Sequence, residues 1–296
     1  MNPVVLALPG NEAVAKRLAE RLTLELGRAE LRRFPDGESY VRIDGAVKGG
    51  SVIVICTLDR PDEKFLPLTF LAATARDCGA ARVGLVCPYL AYMRQDMRFR
   101  DGEGVTSSYF ASAISKCFDW LVTIDPHLHR RASLSEIYSI PAIAVHAATR
   151  LADWIREYVP APLVIGPDAE SEQWVSAVAD SAQAPYVVLE KVRLSDREVQ
   201  VSLPKANRWR ERMPVLVDDI ISSARTMIAA ARRFREAGLR QPLCVGVHAI
   251  FADRAYEELI AAGVAGVVTC NTVPHISNQI DITDLLEAPI RNLLRT

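Results

Sequence analysis

Residues 215–226 read VLVDDIISSART. Val215, Leu216 and Val217 are apolar enough for a buried strand, and the run meets two adjacent carboxylates, Asp218 and Asp219, then small hydroxylated residues and a helical pattern. The stretch predicts a strand–loop–helix corner with acids at its tip. In an open parallel sheet, ligands sit beyond the carboxyl ends of the strands, so both acids are expected to face a crevice. Adjacent carboxylates there suit sugar hydroxyls, or a Mg²⁺ ion that keeps part of its water shell. Ser222, Ser223 and Thr226 add hydroxyls and N–H groups at a helix start, where a phosphate dianion is favoured. The plainer alternative is a strand exit with solvated acids and an ordinary serine cap.

The rest of the chain narrows the class. Its 296 residues, 50% hydrophobic, suffice for two domains with their own cores. No apolar run is long enough to span a bilayer, and MNPVVLALPG lacks the basic segment and long apolar core of a signal peptide, so a cytoplasmic protein without membrane partners is expected. The 6 cysteines are scattered, with no CxxC and no metal-ligand spacing, and read as reduced core thiols. Lys plus Arg, 35, nearly balances Asp plus Glu, 36, which argues against a nucleic acid recognised by bulk charge. Any anion site must be local.

Taken in order, Val4–Leu8 reads as a strand closed by Pro9-Gly10, with an amphipathic helix following through Leu24. In LRRFPDGESYVRI, residues 31–43, the tail alternates like a strand and Phe34 to Gly37 form a turn. Ser51–Thr57 is a strand, Phe65–Cys78 a helix capped near Gly79, and Arg82–Pro88 the next buried strand. The exit PYLAYMRQDMRF cannot continue a core strand. It is a loop whose Arg94 can fork onto a phosphate and whose Gln95 can bond a base edge or phosphate oxygen; a surface ion-pair loop is the alternative. Asp119–Ile124 leads as a strand into DPHLHRR, where His127 and His129, two apart without a third ligand, are weak evidence for a metal. Beyond Pro141 a new helix is expected to open a second domain. There the β–α grammar repeats: strand Leu163–Ile165, tip GPDAE, helix Gln173–Ser181, strand Tyr186–Leu189. An alternating ribbon covers 190–203, and after the acid loop come helix Met227–Glu236, ended by Gly238, and strands Leu243–Ile250 and Gly266–Cys270. This pattern is a duplicated α/β unit.

The segments carry a resemblance. VLVDDIISSART resembles the phosphoribosyl-pyrophosphate loop of type I phosphoribosyltransferases, and VDDII in particular that of ribose-phosphate pyrophosphokinases. FPDGE, PYLAYMRQD with DGEGVTS, the Asp-Pro-His segment and the pair Lys191-x-Arg193 are similar to segments of the same family in the same order, its archaeal-type members above all. The resemblance covers nearly the whole chain. It implies two phosphoribosyltransferase-like domains related by pseudo-duplication, each a mainly parallel sheet flanked by helices. The first spans 1–145 and holds the ATP loops. The second spans 146–296 and holds the sugar-phosphate loop and a catalytic flap, with the last residues packing back on the first domain. It implies transfer of the pyrophosphoryl group of ATP to the anomeric hydroxyl of ribose 5-phosphate, with Mg²⁺.

The same resemblance assigns residues. Phe34, Asp36 and Glu38 meet the adenine of ATP held by a neighbouring subunit, so a homodimer or larger homo-oligomer with shared active sites is expected. Arg94, Gln95 and His127 bind ATP. Asp168, Asp218, Asp219, Ser222, Ser223, Arg225 and Thr226 bind ribose 5-phosphate. His127 and Asp168 are the metal ligands, and Lys191 and Arg193 are the catalytic cations of the flap. Glu170 and Arg225 stand where the family has glycine, which in the family lets backbone approach the ligand closely. These departures leave two alternatives: a diverged pyrophosphokinase with another sugar-phosphate acceptor, or a non-catalytic nucleotide-binding regulatory homologue. Retention of both flap cations argues against the second. A transferase acting on a base is disfavoured by the ATP-branch segments.

Overall fold

The computed structural model describes residues 2–128, 130–167, 171–193, 199–202 and 206–295. The chain divides into two compact units, residues 1–146 with 283–296, and residues 147–282.

The first unit opens with β1 (Val4–Ala7), α1 (Glu12–Leu22), β2 (Glu25–Leu26), β3 (Arg28–Arg33), β4 (Ser39–Asp44), β5 (Ser51–Ile55) and α2 (Pro61–Asp77). It continues with β6 (Arg82–Cys87), α3 (Thr106–Cys117), β7 (Trp120–Ile124) and β8 (Ala142–Val145). A sheet of 6 strands runs β2-β1-β5-β6-β7-β8 with every neighbouring pair parallel. Covered on both faces, such strands are apolar along their whole length rather than alternating. SVIVI in β5 and RVGLVC in β6 show this directly, being buried at all but their first residue. Gly84 lies opposite Trp120 in the ladder, and a Cβ at 84 would come within 2.0 Å of the buried indole. α2 starts with Pro61 in its first turn and stops before Gly79, whose φ of 88° only glycine adopts without strain. β3 and β4 form a separate antiparallel hairpin with Phe34–Gly37 at its tip.

The second unit holds α4 (Ala148–Tyr158), β9 (Pro162–Gly166), α5 (Glu172–Ala182), β10 (Tyr186–Val188), β11 (Glu190–Arg193) and β12 (Val199–Ser202). Then follow β13 (Met213–Ile221), α6 (Arg225–Glu236), β14 (Leu243–Ala249), α7 (Ala255–Ala261), β15 (Gly266–Cys270) and β16 (Asn278–Ile280). Its 6 parallel strands run β10-β9-β13-β14-β15-β16, and β11 with β12 makes an antiparallel ribbon. The final helix, α8 (Glu287–Arg295), belongs to the first unit. Arg291 donates from Nη2 to the Arg21 carbonyl at 2.8 Å, and Arg82 donates from Nη1 to the Leu293 carbonyl at 3.0 Å.

Three local expectations need correction. Residues 142–145 form the edge strand β8 where a new helix was expected, because AIAV completes the ladder with β7; the helix starts only at Ala148. β13 does not stop at the acids but runs on to Ile221, because Ile220 and Ile221 keep pairing with His248 and Ala249. α6 begins at Arg225 rather than Met227. Of the cysteines, 56, 87, 244 and 270 are buried as expected, and burial pushes the Cys56 thiol up to about 12. Cys78, at the end of α2, is exposed. Among the described residues no helix is long and apolar enough to cross a membrane.

Candidate active site

In the second unit, the residues of interest follow one another along β13 and into α6. Among the described residues, β13 pairs with β9 from Met213 to Leu216, and with β14 from Val215 to Ile221. Asp218 and Asp219 sit on the later part of β13, which is laddered to β14, and both are half-buried. Asp219 accepts the Ile220 N–H through Oδ1 at 2.8 Å. Asp218 lies opposite Gly246, where a Cβ would meet the Ile221 side chain at 2.6 Å.

The turn into α6 is fixed from behind. The Ile221 carbonyl accepts the N–H of Ile250 at 3.2 Å and of Phe251 at 2.9 Å, and the Ser222 carbonyl accepts that of Ala252 at 3.1 Å. Ser222 is half-buried, Ser223 exposed and Thr226 half-buried. The N-cap of α6 is Ala224, at φ 52°, with no side-chain capping bond. The ordinary serine cap is thus not what forms here. An alanine in the left-handed region is a strained choice, and such strain collects at functional turns. Arg225 is the first helical residue and exposed, and it is not among the positive-φ residues, so its place needs no glycine for backbone reasons. The side-chain hydroxyls and the positive end of the α6 dipole suit an anion.

Behind this corner, His248 is buried and its Nδ1 lies 2.9 Å from Thr272 Oγ1, which itself donates to the Val247 carbonyl at 2.8 Å. The threonine proton is thus committed, so His248 carries its proton on Nδ1 and donates. Lys191 and Arg193 stand two residues apart on β11, opposite Val201 and Val199. Asp168 and Glu170 lie outside the described residues, as does His129.

In the first unit, the loops leaving β6 and β7 carry the other set. Tyr89, Leu90, Ala91 and Met93 are buried, which roots the loop and leaves Arg94 exposed and Gln95 half-buried. Gln95 Oε1 accepts the Thr106 hydroxyl at 3.1 Å. His127 is half-buried, two residues beyond Asp125. Asp125 is buried with φ 33°, and its Oδ1 lies 2.8 Å from His146 Nδ1. That hydrogen bond to the carboxylate raises the His146 pKa above its ordinary 6.5, against an opposing effect of burial. On the β3–β4 hairpin, Phe34 is exposed, and Asp36 Oδ1 accepts the Glu38 N–H at 3.2 Å, closing the turn. The Arg32 guanidinium lies 4.8 Å from the Phe34 ring and 4.1 Å from Tyr40.

The structure thus brings Asp218, Asp219, Ser222, Ser223, Arg225 and Thr226 onto one strand–turn–helix unit, and Arg94, Gln95 and His127 onto loops from neighbouring strand ends. Sequence reasoning missed Asp125 with His146, and the anchoring of Asp96 by the arginines after His129. The signal for Asp96 was faint: its partners lie some 34 residues away, a distance no local spacing reveals. Among the described residues no group of 3 or more His, Cys, Asp or Glu could hold a metal. A magnesium ion held by one or two protein groups and by substrate phosphates does not need one.

Comparisons agree along the whole length. The N-terminal domain of ribose phosphate pyrophosphokinase matches residues 4–117, and the phosphoribosyl transferase domain matches residues 133–284. The chain is 35% identical to the ribose-phosphate pyrophosphokinase of Methanopyrus kandleri, covering 98% of this chain and 99% of that one. It is 32% identical to that of Sulfurisphaera tokodaii, covering 98% and 100%. In fold it is similar to the phosphoribosylpyrophosphate synthetase of Mycobacterium smegmatis, with a TM-score of 0.85 at 22% identity over 100% of this chain and 99% of that one.

Proposed function

The chain belongs to the ribose-phosphate pyrophosphokinase family, and from that premise we propose that it transfers the pyrophosphoryl group of ATP to the anomeric oxygen of ribose 5-phosphate. The anomeric hydroxyl attacks the β-phosphorus in line, the bond from that phosphorus to the α-phosphate oxygen breaks, and AMP leaves as phosphoribosyl pyrophosphate forms. In the second unit, Asp218, Asp219 and Asp168 hold ribose hydroxyls. Ser222, Ser223, Arg225 and Thr226 hold the 5-phosphate at the start of α6. In the first unit, Arg94, Gln95 and His127 orient ATP. Lys191 and Arg193 stabilise charge on the transferring group, which is where phosphoryl transfer draws most of its catalysis. No dedicated base is required, because positioning and charge supply most of the acceleration.

The divalent ion of this reading is Mg²⁺, for which His127 in the first unit and Asp168 in the second are each assigned as a ligand. The oxygen-rich setting of half-buried Asp218 and Asp219 fits a hard cation that also takes phosphate oxygens. When bound, Mg²⁺ neutralises charge on the phosphates of ATP. The active form is a homodimer or larger homo-oligomer in which Phe34, Asp36 and Glu38 of one subunit meet adenine at another.

One observation carries the reading: past the acid pair, β13 ends at Ile221 and a short hydroxyl-bearing turn leads into a helix start whose N-cap is a strained alanine rather than a capping serine. The test is AMP release from ATP and Mg²⁺ in the presence of ribose 5-phosphate, then of other sugar phosphates. AMP formation dependent on ribose 5-phosphate is expected. AMP formed only with a different acceptor would refute the assigned substrate, and none with any acceptor would refute the activity.

A further inference from the structure

We infer that Arg131, assisted by Arg130, is a positioning residue for the nucleotide, holding the segment Arg94–Asp96 in its binding conformation. The inference rests on the proposed ATP contacts of Arg94 and Gln95. It starts from two arginines that the proposed chemistry leaves without a task.

The Arg131 side chain is only 15% exposed. Its Nη2 donates to the Asp96 carbonyl at 3.1 Å, and lies 3.3 Å from Ser107 Oγ and 3.4 Å from Ser108 Oγ. Its Nη1 lies 3.9 Å from the Glu136 carboxylate. Ser107 and Ser108 are in the first turn of α3, so one guanidinium ties the end of the loop to the start of the helix. Arg130 Nη1 donates to Asp96 Oδ1 at 3.2 Å, and the Asp96 side chain is 2% exposed.

Other bonds hold the same segment on its remaining sides. The Gln95 carbonyl accepts the Ser107 N–H at 3.3 Å, and the Thr106 hydroxyl donates to Gln95 Oε1. Two residues before Arg94, Tyr92 is held at φ 61°, its phenol bonded to Asp62 and its ring centroid 4.7 Å from that of Phe110. Arg94 sits exposed between these anchors. Asp96 Oδ2 and Arg131 Nε are buried without a hydrogen-bond partner among the described residues. A planar fork can serve a carbonyl and hydroxyls together, whereas a lysine ammonium, compact on a flexible stem, does not reproduce that geometry.

The experiment uses the full chain and compares Arg131→Ala, Arg131→Lys and Arg130→Ala with wild type. It measures Kd for ATP with Mg²⁺, KM for each substrate, the melting temperature, and amide exchange over residues 88–105. For Arg131→Ala we expect Kd and KM for ATP to rise about tenfold or more, KM for ribose 5-phosphate to change less than about twofold, and exchange to quicken over 88–105. Arg131→Lys should fall between. If Arg131→Ala does not fold, Arg130→Ala, whose side chain is 43% exposed, carries the same test with the same expected split. Unaltered ATP affinity in a folded variant, or an equal rise in both KM values with faster exchange throughout, would overturn the inference while leaving the nucleotide reading intact. Failure of the wild-type chain to bind ATP would overturn that reading, and this inference with it.

Discussion

Ala224, held at φ 52° between a strand and a helix, carries a side chain where glycine would fit without strain. We expect Ala224→Gly to stabilise the chain by about 1 kcal/mol, read as a higher melting temperature. A fall would show that the alanine methyl, which is buried, contributes more through packing than the backbone loses. Arg225 does not carry the same burden, since it is already helical. The glycine that the sequence comparison made conspicuous is therefore not demanded by the backbone at that residue. The strain lies one position earlier, and no residue-type rule separates 224 from 225 before the turn geometry is known. Lys191 belongs to the chemistry: Lys191→Ala should lower kcat by about 100- to 1000-fold while Kd for ATP changes little. Unimpaired turnover in that variant would remove its role.

Among the elements, the parallel strands were the most legible part of the fold. Short continuous apolar runs rich in β-branched residues, such as SVIVI and RVGLVC, read as strands covered on both faces, and the structure places them at the centre of the first sheet. β8 was missed because AIAV, at a sheet edge, is only partly buried and follows a proline that suggested a break. The extent of β13 was misjudged for a similar reason: polar side chains at 218 and 219 look like a strand end, yet the ladder with β14 continues beneath them. The hairpin tip at Phe34–Gly37 was readable from its turn residues, and the long-range ties of Asp96 were not. Packing between strands gives a direct test. A Cβ at residue 84 collides with Trp120, so Gly84→Ala should destabilise by about 1–3 kcal/mol, seen as a lower urea midpoint. An unchanged midpoint would mean that the indole moves aside at no cost.

For the whole molecule, full-length agreement with the pyrophosphokinase family and the order of the ATP and sugar-phosphate segments support a single reaction. Shared active sites would make subunits complement one another. Mixing Phe34→Ala with Lys191→Ala chains, each first verified to lack activity alone, and letting them reassociate should restore about a quarter of wild-type activity for dimers. No recovery after verified exchange would place both residues in the same subunit's site. The central claim is transfer of an intact pyrophosphoryl group, and its most direct measurement is the product balance by phosphorus NMR with ATP, Mg²⁺ and ribose 5-phosphate. The account predicts AMP and phosphoribosyl pyrophosphate in equal amounts with no ADP. ADP appearing with a singly phosphorylated anomeric product would contradict it.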